Sequence, residues 1–123
     1  MQERLRLPAD RRLRRKCDFE AVYARGRRFG DSFFAVVSCA NDAAGPRLGL
    51  AVASKTAGNS VERNRIRRIV RESFRLRQHD IPSVDLVVSA RTRVRGAAGG
   101  ELRASLDALW NKVREQWVAS RCS

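Results

Sequence analysis

The 123-residue sequence has one histidine, three cysteines and 13 acidic residues, set against 26 cationic ones. Each scarcity removes a class of function. The lone His79 stands between Gln78 and Asp80 just after a helical stretch, which suits an exposed or capping position better than a catalytic one. Cys17, Cys39 and Cys122 are odd in number and widely spaced. They suggest neither a disulfide framework nor a zinc site, and reduced thiols are expected, Cys39 on a strand and Cys122 in a tail. The acids are scattered and mostly flank basic residues; the nearest thing to a cluster is Asp10, Asp18 and Glu20, and helix-start and solvation roles account for the last two. Metal-assisted hydrolysis needs gathered carboxylates, and covalent catalysis needs a nucleophile beside a base. With no P-loop and no paired-cysteine motif either, neither catalytic residues nor a protein metal site are expected. No apolar stretch approaches the roughly 20 residues of a membrane span. Residues 1–7 lack the apolar core of a signal peptide, so a cytoplasmic protein is expected.

What the chain has is positive charge. Its formal net charge is +13, and only Lys16, Lys55 and Lys112 among the cations are lysines. Such a charge repels itself in a compact state, so a polyanionic partner is implied. Arginine brings a planar fork for phosphate and a flat surface for stacking on bases. Hydrophobic residues make up 43% of the chain, enough for one domain with one core and too many for a disordered basic protein.

Residues 1–16 read as a basic N-terminal arm, 17–119 as a single domain and 120–123 as a short tail. Asp18 suits a helix start, Phe19, Val22 and Tyr23 follow at helical spacing, and Gly26 suits the stop. Ser32–Ala40 reads as a strand, residues 41–46 as a turn, and Arg47–Ala53 as its hairpin partner. On that partner Leu48, Leu50 and Val52 face the core, while Gly49, Ala51 and Ala53 leave the other face flat enough for close approach. Asn59 and Glu62 resemble a capping box opening a helix from about Ser60 to Gln78. Within it, seven arginines fall between Arg63 and Arg77, while Ile66, Ile69, Val70 and Phe74 share one arc. Pro82 precedes a third strand, Val84–Ala90, and residues 91–100 form a basic, glycine-containing loop. A last amphipathic helix is expected over Glu101–Ala119, with Leu102, Leu106, Leu109, Trp110, Val113 and Trp117 on one stripe, the tryptophans as core anchors. The expected fold is an α+β sandwich, order α-β-β-α-β-α, around one central sheet.

The arginine helix is the functional signal. One acid, Glu72, among seven arginines cannot neutralise that face by pairing along the helix, so it is built to lie against phosphates. No DNA-binding helix-turn-helix or finger spacing is present. Phe19 and Tyr23 near a flat strand face suit unstacked single-stranded bases, though each equally fits core packing.

At this point the residues resemble a family. Gly58-Asn59-Ser60-Val61-Glu62-Arg63-Asn64-Arg65-Ile66-Arg67-Arg68 resembles the Arg-Asn-Arg signature of the bacterial ribonuclease P protein subunit. Asp18–Tyr23 through Gly26, Arg47–Val52, Arg71–Arg75 and Asp85–Ala90 resemble the elements around that signature. The resemblance implies a mixed sheet with a left-handed βαβ crossover and a partner that is a large catalytic RNA, bound 1:1. Together they would remove the 5′ leader of precursor tRNA, the RNA holding the Mg²⁺ ions and carrying out the hydrolysis. It further implies that Arg63, Asn64, Arg65, Arg67, Arg68 and Arg71 face the catalytic RNA. Phe19 and Tyr23 would line a leader cleft, with Phe34, Val37 and Lys55 on its sheet side. Arg11, Arg12, Arg14, Arg15 and Lys16 would add RNA contacts. The chain departs from the family in two places: Ser54-Lys55 stands where many members have two basic residues, and Val37 where some have an aromatic. A ribosomal or ribosome-assembly protein and a stand-alone RNA-cleaving enzyme are the competing readings.

Overall fold

The computed structural model describes residues 20, 22–24, 26–41 and 45–122, with side chains through Trp117. Four strands, β1 (Arg27–Gly30), β2 (Phe34–Ala40), β3 (Arg47–Ala51) and β4 (Val84–Ala90), form one mixed sheet in the order β1-β2-β4-β3. A single helical turn, α1 (Ser54–Ala57), leads into the long helix α2 (Ser60–Arg77), and α3 (Gly99–Cys122) ends the described chain. Glu20, Val22, Tyr23 and Ala24 are also helical.

The α+β architecture is the one expected, but β3 ends at Ala51 rather than Ala53 because Ala53 caps α1, and three further differences stand out. Strand β1 was not legible, because two arginines, one aromatic and a glycine carry no alternating pattern. It exists because the chain reverses tightly at Asp31, whose Oδ1 accepts the N–H of Phe33 (2.9 Å) and of Phe34 (3.0 Å). That turn consumes Ser32 and Phe33, so β2 starts at Phe34 rather than Ser32. Second, β2 and β3 are not a hairpin. β4 lies between them, antiparallel to β2 and parallel to β3. Val84, Asp85, Leu86, Val87 and Val88 are all buried, as befits a strand covered on both faces, and this claims the centre of the sheet. Third, α3 runs to Cys122, beyond the expected end at residue 119.

Alternation along the strands gives the sheet two unlike faces. Phe34, Val36, Leu48, Leu86 and Val88 meet Ile66, Val70 and Phe74 of α2 and Leu102, Leu106, Leu109 and Val113 of α3 in the main core. Both tryptophans anchor there, as expected: Trp110 Nε1 donates to Ser73 Oγ (2.8 Å) and Trp117 Nε1 to Ser38 Oγ (2.8 Å). Among the described residues the other face carries a smaller cluster, in which Val22 packs on Val37 and Val87 with Tyr23 and Cys39 beside them. Burial would raise the Asp31 carboxyl, but hydrogen bonds from Ser105, Phe34 and Phe33 and the charge of Lys112 outweigh it and hold the group below its usual range.

Gly26 shows how closely the N-terminal helical residues approach the sheet. A Cβ there would stand 2.3 Å from Val37 Cγ1 and 2.4 Å from the Val22 carbonyl oxygen. Gly26→Ala is expected to destabilise the fold by about 2 kcal/mol, lowering Tm by roughly 5–12 °C in a thermal melt. An unchanged Tm would mean that this segment sits further from β2.

Candidate nucleic-acid interface

Helix α2 starts where the sequence predicts. The Asn59 side chain accepts the Glu62 N–H at 2.9 Å, capping an otherwise unpaired donor, and Glu62 suits the positive end of the helix. Ile66, Ile69, Val70, Ser73 and Phe74 turn inward, which leaves the remaining arc to the arginines.

Those arginines are not equivalent. Arg63 Nε donates to the Val52 carbonyl (2.8 Å), joining the helix to the end of β3. Arg65 pairs with Glu62 (3.1 Å) and donates through Nη2 to the Ala97 carbonyl (2.9 Å), holding the loop before α3. Arg77 reaches Asp80 (3.3 Å), Asp107 (3.5 Å) and Asn111 (2.6 Å), tying α2 to α3. At least three of the seven are therefore engaged within the protein. Asn64 and Arg68 are exposed, and Arg71 is half-buried. The Nε atoms of Arg67 and Arg75 are buried and lack a hydrogen-bond partner among the described residues. Burial, and then the charge of Arg63, lower the Arg67 pKa, so an arriving anion would relieve an unfavourable charge. Arg75 belongs to this set although the resemblance did not assign it to the RNA; its sequence signals were the four-residue step from Arg71 and its place in the Arg71–Arg75 stretch.

This division is testable one residue at a time. Arg77→Ala should lower stability by about 1 kcal/mol while leaving the salt dependence of RNA binding unchanged. Arg68→Ala should leave stability intact and flatten the log affinity against log salt slope by about one unit. Filter binding at several salt concentrations and urea unfolding separate the two, and equal behaviour of both variants would refute it.

The second feature is the sparsely covered sheet face. Strand register builds it in rows. Arg28, Val37, Val87 and Gly49 form one row, beneath Val22. Gly30, Ala35, Ser89 and Ala51 form the next, a floor of small side chains. Tyr23 is half-buried at this face, with the Arg28 guanidinium 5.9 Å from its ring centroid. Arg91 borders the floor: a Cβ on Gly30 would lie 3.3 Å from its Nη2.

The expected cleft residues are thus placed as follows. Tyr23 and Val37 belong to this face, Val37 almost covered, and Lys55 is exposed on α1 beyond the end of β3. Phe34 is a correction. It lies three residues from Val37, hence on the opposite face, and is 0% exposed in the main core, so it has no surface to offer. Phe19, Arg11, Arg12, Arg14, Arg15 and Lys16 lie outside the described residues. Arg91 was missed because only the register of β1 and β2 brings it to the floor.

The most buried described carboxylate serves the fold. Asp85 accepts from Arg47 Nε and Nη2 (both 2.7 Å) and from Asn41 Nδ2 (2.8 Å). Among the described residues no three His, Cys, Asp or Glu side chains converge, and no helix is long and apolar enough to cross a membrane.

Comparison with known proteins gives the chain its relatives. The family profile for Ribonuclease P matches residues 7–114. The ribonuclease P protein components of Cronobacter sakazakii and Escherichia coli are each 38% identical over 109 residues, 89% of this chain and 92% of theirs. That of Serratia proteamaculans is 37% identical over 117 residues, 95% of this chain and 98% of its own. Among solved structures, the Staphylococcus aureus RNase P protein superposes with a TM-score of 0.76 at 31% identity, covering 80% of this chain and 90% of that one. The Thermotoga maritima RNase P protein does so with 0.75 at 30% identity, covering 83% and 96%.

Proposed function

The chain belongs to the ribonuclease P protein family, and from that premise we propose that it works as the protein subunit of a ribonucleoprotein endonuclease that removes the 5′ leader of precursor tRNA. The observation that carries the reading is the cationic arc of α2, where Arg67, Arg68 and Arg75 have no carboxylate partner among the described residues while Arg63, Arg65 and Arg77 hold the helix in place. This arc docks the catalytic RNA, one protein to one RNA, with Asn64 and Arg71 beside it. Each phosphate neutralised there releases a condensed counterion, so binding is strongly salt-dependent. The basic N-terminal arm adds contacts.

The precursor's leader lies on the open sheet face. Its single-stranded bases meet Phe19 and Tyr23, and the floor of small residues lets the sugar–phosphate chain approach the backbone closely. Hydrolysis belongs to the RNA, which holds the Mg²⁺ ions; the protein positions the substrate and lowers charge repulsion between two RNAs.

The experiment is cleavage of precursor tRNA by the catalytic RNA alone, the protein alone and both together, at low and high magnesium. Cleavage by both together at low magnesium, and none by protein alone, is the expected result. Cleavage by protein and magnesium alone would overturn the division of labour. Absence of any gain at low magnesium would overturn the assignment.

A further inference from the structure

The loop that follows β4 carries an arginine to a place where strand order alone would not put one. Because β1 and β3 both run parallel to β4, their last residues, Gly30, Ala51 and Ala90, lie at one end of the sheet. β3 continues there into α1, and β4 into a 3-10 turn, Thr92–Val94. Arg95 follows that turn. Its Nε donates to the Thr56 carbonyl at 3.0 Å and its Nη2 to the Lys55 carbonyl, 40 residues back in the chain.

The carbonyls of Lys55 and Thr56 are the ones α1 leaves without partners. The Ala53 and Ser54 oxygens accept from Ala57 and Gly58, and then Gly58, at φ 116°, turns the chain out of the helix. A guanidinium is well suited to such a helix end, where its charge meets the negative pole. The bond geometry matters more than the cap itself. Nε and Nη2 form one edge of the planar fork and both face the carbonyls, so the other edge, carrying Nη1, is directed away from them. Arg95 and Lys55 are both exposed. Two cationic residues therefore meet at the end of the sheet where β3 and β4 run out, the guanidinium of one fixed by two hydrogen bonds to the backbone of the other's helical turn.

We propose that Arg95 and Lys55 act as a pair that grips one phosphate of the leader, with Arg95 as the oriented member. The inference rests on the leader lying on the open face. It assigns a binding role to a residue outside the signature helix, one that no feature of the linear sequence brought to the site. A fixed guanidinium loses little side-chain freedom when it meets a phosphate, which favours it over a freely rotating lysine.

The test uses the full-length protein assembled with catalytic RNA. Substrate affinity is measured across a salt series for precursor tRNA with a leader and for tRNA lacking one, with wild type, Arg95→Gln, and Arg95→Gln combined with Ser54→Lys. Arg95→Gln should weaken leader-bearing substrate about fivefold and flatten its salt slope by roughly 0.7, the value for one phosphate of a single strand. Affinity for the leaderless tRNA and for the catalytic RNA should not change. The added Ser54→Lys restores a charge next to Lys55 without restoring the carbonyl cap, so recovery of the slope identifies charge, and not loop structure, as the cause. Three results would overturn the proposal: an unchanged slope, equal weakening for leaderless tRNA, or no recovery in the double variant. If wild type itself shows no preference for a leader, the reading of the open face fails and takes this one with it.

Discussion

Replacing Arg67, Arg68 and Arg75 together by glutamine should weaken binding to the catalytic RNA by about two to three orders of magnitude near physiological salt. The log–log salt slope should become shallower by roughly two to three units, since duplex phosphates contribute about 0.9 each. The argument is one of accounting for partners. Arg63, Arg65 and Arg77 already bind Val52, Glu62, Ala97, Asp80, Asp107 and Asn111, so removing them disturbs the fold. Arg68 is exposed, while Arg67 and Arg75 each bury an Nε that no described acceptor meets. Their replacement removes charge without breaking a bond to any described residue. Unfolding midpoints of the triple variant should match wild type, and excess magnesium should restore cleavage, because the RNA then no longer needs the protein's charge. A triple variant that binds with an unchanged slope would show that the docking surface lies elsewhere.

Trp110→Ala should have the largest effect on stability, about 3–5 kcal/mol. The side chain is fully buried between α2 and α3, packs edge-on against Phe74 at 5.7 Å, and supplies the hydrogen bond that satisfies Ser73. Alanine leaves a large cavity and an unpaired buried hydroxyl, which adds about 1 kcal/mol more. Domains of this size hold only about 5–15 kcal/mol in total, so a substantial unfolded fraction is expected at growth temperature. Trp110→Phe keeps most of the packing and loses the hydrogen bond, and should cost about 1–2 kcal/mol. Urea unfolding followed by circular dichroism measures both. If Trp110→Ala costs under 1 kcal/mol, the pairing of α2 with α3 is not what holds the signature helix in place.

Much of this was legible because it is local. The apolar arc of α2 and the stripe of α3 are set by residues three and four apart, so periodicity finds them without knowing the fold. Asn59 as a cap, and the unbroken apolar run of β4, are likewise short-range signals. The flat face of β3, with Gly49 and Ala51 alternating against larger residues, could be read from one strand. Legibility ended where the chain meets itself. Residues 27–30 are a strand only because Asp31 folds them back onto β2. Phe34 and Val37 belong to opposite faces, which alternation alone implies once β2 is in place, but a resemblance carried over by position does not ask which way a side chain points.

The sequence by itself determined that this is a basic α+β protein with an arginine helix too positive to be left unpartnered, and the signature in that helix determined its family. Those properties follow from composition and short spacings. Tertiary structure decided which arginines remain for a partner. Charge counting treats all seven between Arg63 and Arg77 alike, yet a guanidinium reaches several ångströms and binds whichever acceptor the fold brings near. The Val52 and Ala97 carbonyls and Asn111 come from other elements, and they engage three of the seven. The same long reach brings Arg95 to Lys55 across 40 residues.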